Sequence, residues 1–235
     1  MPTLDRERVE NVVAGGAPEV ALDEFVYEWV RDRIIDGTLP TGSRIREREV
    51  AEELQVSRIP VREAFPRLES EGYIKSLHRR GVVVAPMELE DVVELFAVRR
   101  SLEVLAARLA AEQCAAGGSG ESLVQRLDDA EAAIARGAGD EIAEATAAIH
   151  DEIVVLSGNR LLQTLMIPVR GRVQRLFHIV TERDERHLHH EHRDMCSAIV
   201  NGEVERAAAL ALAHVEHSRH ETMPIVARKL GVGAA

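Results

Sequence analysis

The chain has 235 residues, of which 46% are hydrophobic, 29% charged and only 3% aromatic, a composition that fits two globular domains and excludes a disordered protein. The net charge of −11 excludes a uniformly basic nucleic-acid coat protein, and no apolar run reaches the ~18 residues that a membrane span needs. Because the acidic N-terminus lacks a signal-peptide pattern and two cysteines cannot form a disulfide framework, we expect a cytoplasmic, mainly helical protein with no membrane partner.

The N-terminal part of the chain predicts a tail followed by three helices. Residues 1–20 contain two adjacent glycines and no apolar period, so we expect a flexible tail. Apolar residues at helical spacing then predict a first helix over 21–35 and a second over 47–54. A third helix is expected over 58–72, with Ser57 as its N-cap residue.

A β-hairpin is expected directly after the third helix. The β-rich runs 73–77 and 82–85 flank a basic turn that contains a glycine. Three helices and a hairpin within about 65 residues are typical of a winged helix-turn-helix. We therefore assign residues 21–86 to a DNA-binding domain.

The composition changes after Pro86. Residues 87–235 are rich in Ala, Leu and Glu, carry almost no strand signal, and are interrupted only by short glycine-bearing joints. The joints are spaced for roughly six helices of about 15–25 residues, which is typical of an antiparallel bundle. The expected fold is therefore mainly α, with an N-terminal winged helix-turn-helix and a C-terminal all-helical domain over 87–235.

Several basic residues are placed where a winged helix-turn-helix contacts DNA. Arg58 and Arg62 lie four residues apart at the start of the third helix, and so on one face of it. The N-terminus of such a helix enters the major groove, where arginine suits guanine edges and phosphates. Arg48 opens the second helix, and Arg80 and Gly81 lie in the hairpin turn. Together these residues predict a DNA-reading surface.

An alternative is that the same arginines are surface ion-pair partners of nearby carboxylates. Residues 44–81 hold nine basic and seven acidic residues, and this net charge of +2 does not separate the two interpretations. Four carboxylates are close enough in the sequence to serve as partners: Glu47, Glu49, Glu52 and Glu63.

Five stretches of the N-terminal domain resemble the GntR family of bacterial transcription regulators. They read IDGTLPTGSRI at 35–45, REVAEEL at 48–54, VSR at 56–58, PVREA at 60–64 and LESEG at 68–72. The resemblance implies a dimeric regulator, a repressor or an activator, that binds a short DNA palindrome. It also implies that DNA is contacted by the residues that match the family's contacts, namely Arg48, Ser57, Arg58, Arg62, Arg80 and Gly81.

The chain departs from the pattern of that family at two positions. Ile59 stands where the family usually has threonine, so one hydroxyl contact to a phosphate is expected to be missing. Pro66 lies inside the third helix, where proline costs about 3 kcal/mol and removes the hydrogen bond to the Arg62 carbonyl. A kink at Pro66 would follow the reading residues, so DNA recognition is expected to survive it.

Ten histidines are many for this length, and seven of them lie within 187–220. His150, His192 and His214 fall on the apolar stripes of three predicted helices. One such histidine is usually a hydrogen-bonded core residue, but three together could hold a divalent metal ion, and spacing alone leaves both interpretations open. Five further histidines of the C-terminal part are expected on solvated helix faces: His187, His189, His190, His217 and His220.

The C-terminal domain resembles the FCD domain, the helical ligand sensor of FadR-type GntR regulators. Its landmarks are VRRSLE at 98–103, AARLA at 106–110, IH at 149–150, GNRLL at 158–162, EHR at 191–193 and AHV at 213–215. The resemblance implies an effector-binding and dimerisation domain with a metal held by His150, His192 and His214. Metal-binding members add an aspartate four residues before the first histidine, and that position is Thr146 here.

Threonine at this position removes one charge and one oxygen ligand from the expected metal site. Three histidines and a water still make a tetrahedral Zn²⁺ site, and nickel or iron would also suit imidazole ligands. We expect an anionic effector to supply the missing oxygen next to Thr146. Arg99 is the candidate for binding the effector carboxylate through two hydrogen bonds, or alternatively a structural partner of Glu103.

These observations predict a ligand-responsive DNA-binding regulator, a homodimeric repressor that senses a small organic acid through a metal held by three histidines. One alternative is a metal-free FCD regulator of an apolar or acyl ligand. Another is a metalloenzyme with three histidine ligands and a bound water. We do not expect an enzyme, because no general acid or base is well placed beside the histidines and residues 21–86 would have no role.

Overall fold

The computed structural model describes residues 19–78, 81–137, 139–180 and 185–231. The chain divides into two compact units, Met1–Pro86 and Met87–Ala235. Most of the predicted tail lies outside the described residues, and so does Arg80. Within the described ranges, no helix is both long and apolar enough to cross a membrane.

The described residues of the first unit form three helices and a small antiparallel sheet. In chain order the elements are α1 (Glu19–Ile35), β1 (Arg44–Ile45), α2 (Glu47–Leu54), α3 (Arg58–Ser70), β2 (Ile74–Leu77) and β3 (Gly81–Val84). Strand β3 pairs with β2 on one side and with β1 on the other. This arrangement confirms the expected winged helix-turn-helix and adds β1, which is too short to show an alternating pattern.

A tight turn between α2 and α3 presents the start of α3 to solvent. Gln55 ends α2 in the left-handed conformation with φ 56°, and its N–H binds the Ala51 and Glu52 carbonyls. Ser57 is extended and precedes the first turn of α3. Because α1 and α2 both pack against α3, its apolar face is buried and its polar face is left exposed. The buried side chains of α3 are Pro60, Val61, Ala64, Phe65 and Leu68.

The described residues of the second unit form six helices. They are α4 (Leu89–Ala115), α5 (Glu121–Arg136), α6 (Gly139–Leu156), α7 (Arg160–Ile179), α8 (Glu185–Val200) and α9 (Val204–Lys229). The long helix α4 packs against α6, α7, α8 and α9, so its residues reach the centre of this unit. Asn159 caps α7 by accepting a hydrogen bond from the Leu162 N–H at 3.0 Å. The prediction of an all-helical second domain is confirmed.

Candidate functional site

Arg58 and Arg62 are exposed at the N-terminal end of α3 and share one carboxylate. Arg58 Nη2 and Arg62 Nε each donate a hydrogen bond of 2.9 Å to Oε2 of Glu47. The hydrogen bond from Arg58 lowers the pKa of Glu47 more than burial raises it. The two arginine side chains nevertheless keep 55% and 61% of their surface exposed, so both remain accessible.

The other residues expected to contact DNA are also on the surface of the first unit. Arg48 is exposed on α2 and pairs with Glu52 at 3.3 Å. Ser57 is exposed and its side chain makes no capping hydrogen bond. Gly81 begins β3 with φ 77°, a backbone conformation that favours glycine. The ion-pair alternative therefore describes real contacts, but these contacts do not bury the arginines.

The two departures from the family pattern do not disturb the start of α3. The side chain of Ile59 is exposed, whereas the next residue, Pro60, is buried. Helix α3 continues through Pro66, whose side chain is exposed. Because Pro66 faces solvent, water can bind the carbonyl of Arg62 that its missing N–H leaves free.

Three histidines from three helices converge inside the second unit. His150 on α6, His192 on α8 and His214 on α9 each offer a ring nitrogen, and these nitrogens lie within 4.8 Å of one another. The Nε2 atoms of His150 and His192 are 3.0 Å apart. His192 is only 1% exposed and His214 is also buried. The sequence therefore placed all three correctly on inward-facing positions.

One carboxylate binds a ring nitrogen of His214, and another lies near a ring nitrogen of His150. Glu191 accepts a hydrogen bond from His214 Nδ1 at 2.8 Å and another from His217 Nδ1 at 2.6 Å. Glu103 lies with Oε2 at 3.5 Å from His150 Nδ1. Such contacts fix the tautomer that leaves Nε2 as the inward nitrogen. Burial raises the pKa of Glu191, but the hydrogen bonds and charges of His214 and His217 together outweigh it and lower that pKa.

Arg99 lies at the bottom of a cavity beside the histidine cluster. Its Nε donates to Glu103 at 2.6 Å and its Nη2 at 3.3 Å, so the predicted pair with Glu103 is present. Burial raises the pKa of Glu103, but the charge and hydrogen bond of Arg99 together with the charges of His150 and His214 outweigh it and lower that pKa to about 2. Arg99 is 1% exposed, and no hydrogen-bond partner of its buried Nη1 is found within the described part of the chain.

The cavity itself has a volume of about 500 Å³ and lies between α4, α6 and α7. Arg99, Glu103 and His150 together form one polar part of the lining. The rest combines apolar side chains with six further polar ones: Asp151, Arg160, Gln163, Thr164, Arg170 and Gln174. Thr146 is partly buried one turn before His150, but it is not among the described residues that line the cavity. The apolar part of the wall consists chiefly of Val154, Met166, Ile167, Val169 and Val173.

The expectation of solvated faces for the remaining histidines is correct for two of them. His190 and His220 are exposed, and His217 is half-buried against Glu191. His189 is only 8% exposed, so the prediction for it is wrong. The side chain of His187 lies outside the described residues.

Sequence reasoning assigned no functional role to two carboxylates that organise these sites. Glu47 holds two arginines of the reading surface, and it was considered only as one of four alternative ion-pair partners. Glu191 holds His214, although it directly precedes His192 in the chain. Its position beside an inward-facing histidine is the one signal that could have drawn attention to it.

Comparison with known proteins shows the family of the chain. Residues 22–84 match the family described as bacterial regulatory proteins, gntR family, and residues 94–217 match the FCD domain. The chain belongs to the GntR family and carries a C-terminal FCD domain. Both resemblances seen in the sequence are thereby confirmed.

Named relatives of this GntR protein agree with that assignment. The chain is 30% identical to an HTH-type transcriptional regulator, YdhC of Bacillus subtilis, over 81% of this chain and 86% of that protein. It is 29% identical to the Nta operon transcriptional regulator of Aminobacter aminovorans, over 79% and 87%. The crystal structure of a GntR transcriptional regulator from Rhodococcus sp. RHA1 superposes with a TM-score of 0.72, at 26% identity over 86% and 97% of the two chains.

These matches establish the general activity of the protein. The family and these relatives are transcription regulators, so this GntR protein is a DNA-binding transcription regulator. The expectation that it is not an enzyme is confirmed, and the metalloenzyme alternative is discarded.

Proposed function

We propose that this GntR regulator is a cytoplasmic homodimeric repressor that binds a palindromic operator through the start of α3. We further propose that a small carboxylate, bound in the FCD cavity beside a divalent metal, changes its affinity for DNA. The observation that carries the proposal is the pair of accessible arginines at the start of α3. The second unit of the same chain holds a cavity lined in part by Arg99, Glu103 and His150.

The DNA-binding part rests on the accessible face of α3. Arg58 and Arg62 combine positive charge with the N-terminal end of a helix, which suits phosphates and guanine edges. Three further residues of the same unit are exposed and are expected to contact the sugar-phosphate backbone of the DNA: Arg48, Ser57 and Gly81. We also include Arg80 among the DNA-contacting residues, on the basis of its sequence position alone. A two-fold dimer would present two copies of α3 to half-sites about one DNA turn apart.

The metal part rests on the donor set of His150, His192 and His214. Two nitrogens bound to one Zn²⁺ at 2.0–2.1 Å and at a tetrahedral angle lie about 3.3 Å apart, close to the observed 3.0 Å between the His150 and His192 Nε2 atoms. The carboxylate of Glu191 orients His214 in the way common for metal-bound histidines. The donor chemistry therefore fits the group, and the three nitrogens, which lie within 4.8 Å of one another, would close in on a bound ion. When bound, Zn²⁺ would supply a Lewis-acidic position open to an effector oxygen, and nickel or iron would serve equally.

The carboxylate part rests on Arg99. A buried guanidinium N–H without a partner is unfavourable, and a ligand oxygen would satisfy it. Because Glu103 already holds Nε and Nη2, Arg99 has a fixed orientation before any ligand arrives. His150 lines the same cavity, so one carboxylate could reach both Arg99 and the metal site. The cavity walls come from three helices, and a ligand that prefers one arrangement of them would shift the dimer between two DNA affinities.

Elemental analysis of protein purified without chelator tests the metal part directly. We expect about one divalent metal ion per chain, because three converging imidazoles, two of them buried, form a nearly complete site. Inductively coupled plasma mass spectrometry of the dialysed protein measures the number of metal ions per chain. A content below about 0.2 ions per chain would favour the metal-free FCD regulator of an apolar or acyl ligand.

The substitution Arg99→Lys tests the carboxylate part and keeps the charge opposite Glu103. Lysine lacks the planar fork, so binding of the best carboxylate from a panel of C2–C6 mono-, di- and tricarboxylates should weaken by roughly 30-fold. Calorimetric titration measures this change. Arg100→Lys is the matched control, since Arg100 is the exposed neighbour that pairs with Glu216. Equal affinities of the two variants would remove Arg99 from the effector site.

A further inference from the structure

Glu47 holds the two front arginines of α3 by a single oxygen atom. It is the first residue of α2, and its Oε2 accepts one hydrogen bond from Arg58 Nη2 and one from Arg62 Nε, both at 2.9 Å. The Glu47 side chain keeps only 31% of its surface exposed, whereas the two arginine side chains keep 55% and 61% exposed. One carboxylate thus connects the start of α2 with the reading end of α3.

The atoms used in these contacts decide which arginine atoms remain for DNA. Arg62 is held by Nε, and no hydrogen bond of its Nη1 or Nη2 occurs among the residues that the structure describes. Its Nη1 and Nη2 donors are therefore left for DNA, and a bidentate contact to guanine O6 and N7 needs two such donors. Arg58 is held at its terminal nitrogen Nη2 instead, so Glu47 contacts the two arginines at different atoms.

The charge of Glu47 also affects binding to DNA without a specific site. A carboxylate beside the reading arginines repels phosphates and partly neutralises two cations, so it weakens sequence-independent binding. A guanine in the correct position can still accept hydrogen bonds from Nη1 and Nη2 of Arg62 without displacing the contact between Nε and Glu47. The same contact thus opposes non-specific binding more than specific binding.

We infer that Glu47 is a positioning residue that sets the sequence discrimination of this regulator by holding Arg62 for bidentate contact with guanine. The inference rests on the proposed reading of DNA by α3. It assigns guanine reading to Arg62, whose terminal nitrogens are not used by Glu47.

The test compares full-length Glu47→Ala with wild type on two duplexes of equal length. One is selected from a random pool by the wild-type protein, and the other is an unrelated sequence. We expect the ratio of the two affinities to fall about tenfold in Glu47→Ala, with tighter binding to the unrelated duplex. The affinity ratio of Glu47→Gln should lie between those of wild type and Glu47→Ala, because the glutamine amide oxygen still accepts hydrogen bonds but carries no charge. Fluorescence anisotropy at one fixed salt concentration gives all dissociation constants.

Glu49→Ala is the matched control, because Glu49 lies on the same helix, is exposed and pairs with Arg46 rather than with the front of α3. It removes the same charge, so it should tighten binding to both duplexes and preserve their ratio. Replacing the contacted guanine by 7-deazaguanine removes the N7 acceptor. This base change should weaken wild-type binding about tenfold and Glu47→Ala binding less than about threefold. Equal ratios for the two alanine variants, or an equal 7-deazaguanine effect with and without Glu47, would overturn the inference.

Failure of the proposed function gives a different pattern. If Arg62→Ala binds the selected duplex as well as wild type, α3 does not read DNA, and both proposals fall. If Arg62→Ala loses the selected duplex while Glu47→Ala behaves like Glu49→Ala, DNA reading by α3 stands and only the role of Glu47 is rejected.

Discussion

Arg62→Ala should abolish specific operator binding while leaving the fold intact. Arg62 is 61% exposed and its contact with Glu47 is a surface ion pair, so its loss should change the free energy of unfolding by less than about 1 kcal/mol. A bidentate arginine–guanine contact provides about 1–3 kcal/mol of discrimination, and a dimer makes it twice. Operator affinity should therefore fall by on the order of a hundredfold or more, which a gel shift detects as loss of the complex.

A control for this prediction must remove a similar charge elsewhere. Arg136 has a similar exposure of 58% and a surface partner, Glu141, but it lies on α5 of the helical unit. Arg136→Ala should bind the operator within about threefold of wild type, since only long-range electrostatics change. Thermal melting of both variants should match wild type. An unchanged gel shift for Arg62→Ala would mean that α3 is not the reading helix.

The winged helix-turn-helix could be predicted because its signals are local. Helix periodicity, the Ser57 boundary and the glycine-containing hairpin turn each act over a few neighbouring residues. Strand β1 could not be predicted, since two residues show no alternation and their pairing with Val82 and Val83 is distant in the chain. The continuity of α3 through Pro66 depends on the exposure of that proline, which the local pattern does not specify.

The histidines of the candidate metal site were predictable because they follow apolar stripes. His150, His192 and His214 do so, and the structure brings them together. Their carboxylate partner could not be inferred from spacing, because Glu191 and His214 are joined across 23 positions of the chain. The same holds for Glu47, which is 15 positions from Arg62. Side-chain contacts between helices depend on how the helices pack, and periodicity does not report that packing.

The error at His189 has a definite cause in packing. His189 follows Leu188 and so points about 100° away from it around the helix, which predicts a solvated face. Helix α8, however, packs against α4, α5 and α9, so more than one stripe of it is covered. Both Leu188 and His189 are buried as a result. A single-stripe pattern underestimates burial wherever a helix has three neighbours.

His192→Ala should remove the stabilisation of the protein by metal. A ligand present at 1,000 times its dissociation constant stabilises the folded state by about 4 kcal/mol, which corresponds to a rise of roughly 10 °C in the melting temperature of a chain of this size. With excess Zn²⁺, wild type should show this rise and His192→Ala should show less than about 2 °C of it. In EDTA the two proteins should melt within a few degrees of each other. Scanning calorimetry in the two buffers measures the difference.

His189→Ala separates loss of a ligand from loss of a buried side chain. His189 is also a buried histidine of α8, but the cluster found among the described residues does not include it. Its removal leaves a cavity of the same kind, so any destabilisation should be equal in Zn²⁺ and in EDTA, and the rise with metal should persist. If His192→Ala behaves in the same way, with an equal loss in both buffers, the three histidines are a packing cluster. The sensor would then bind its effector without metal, and Arg99 would be the remaining anchor for a carboxylate.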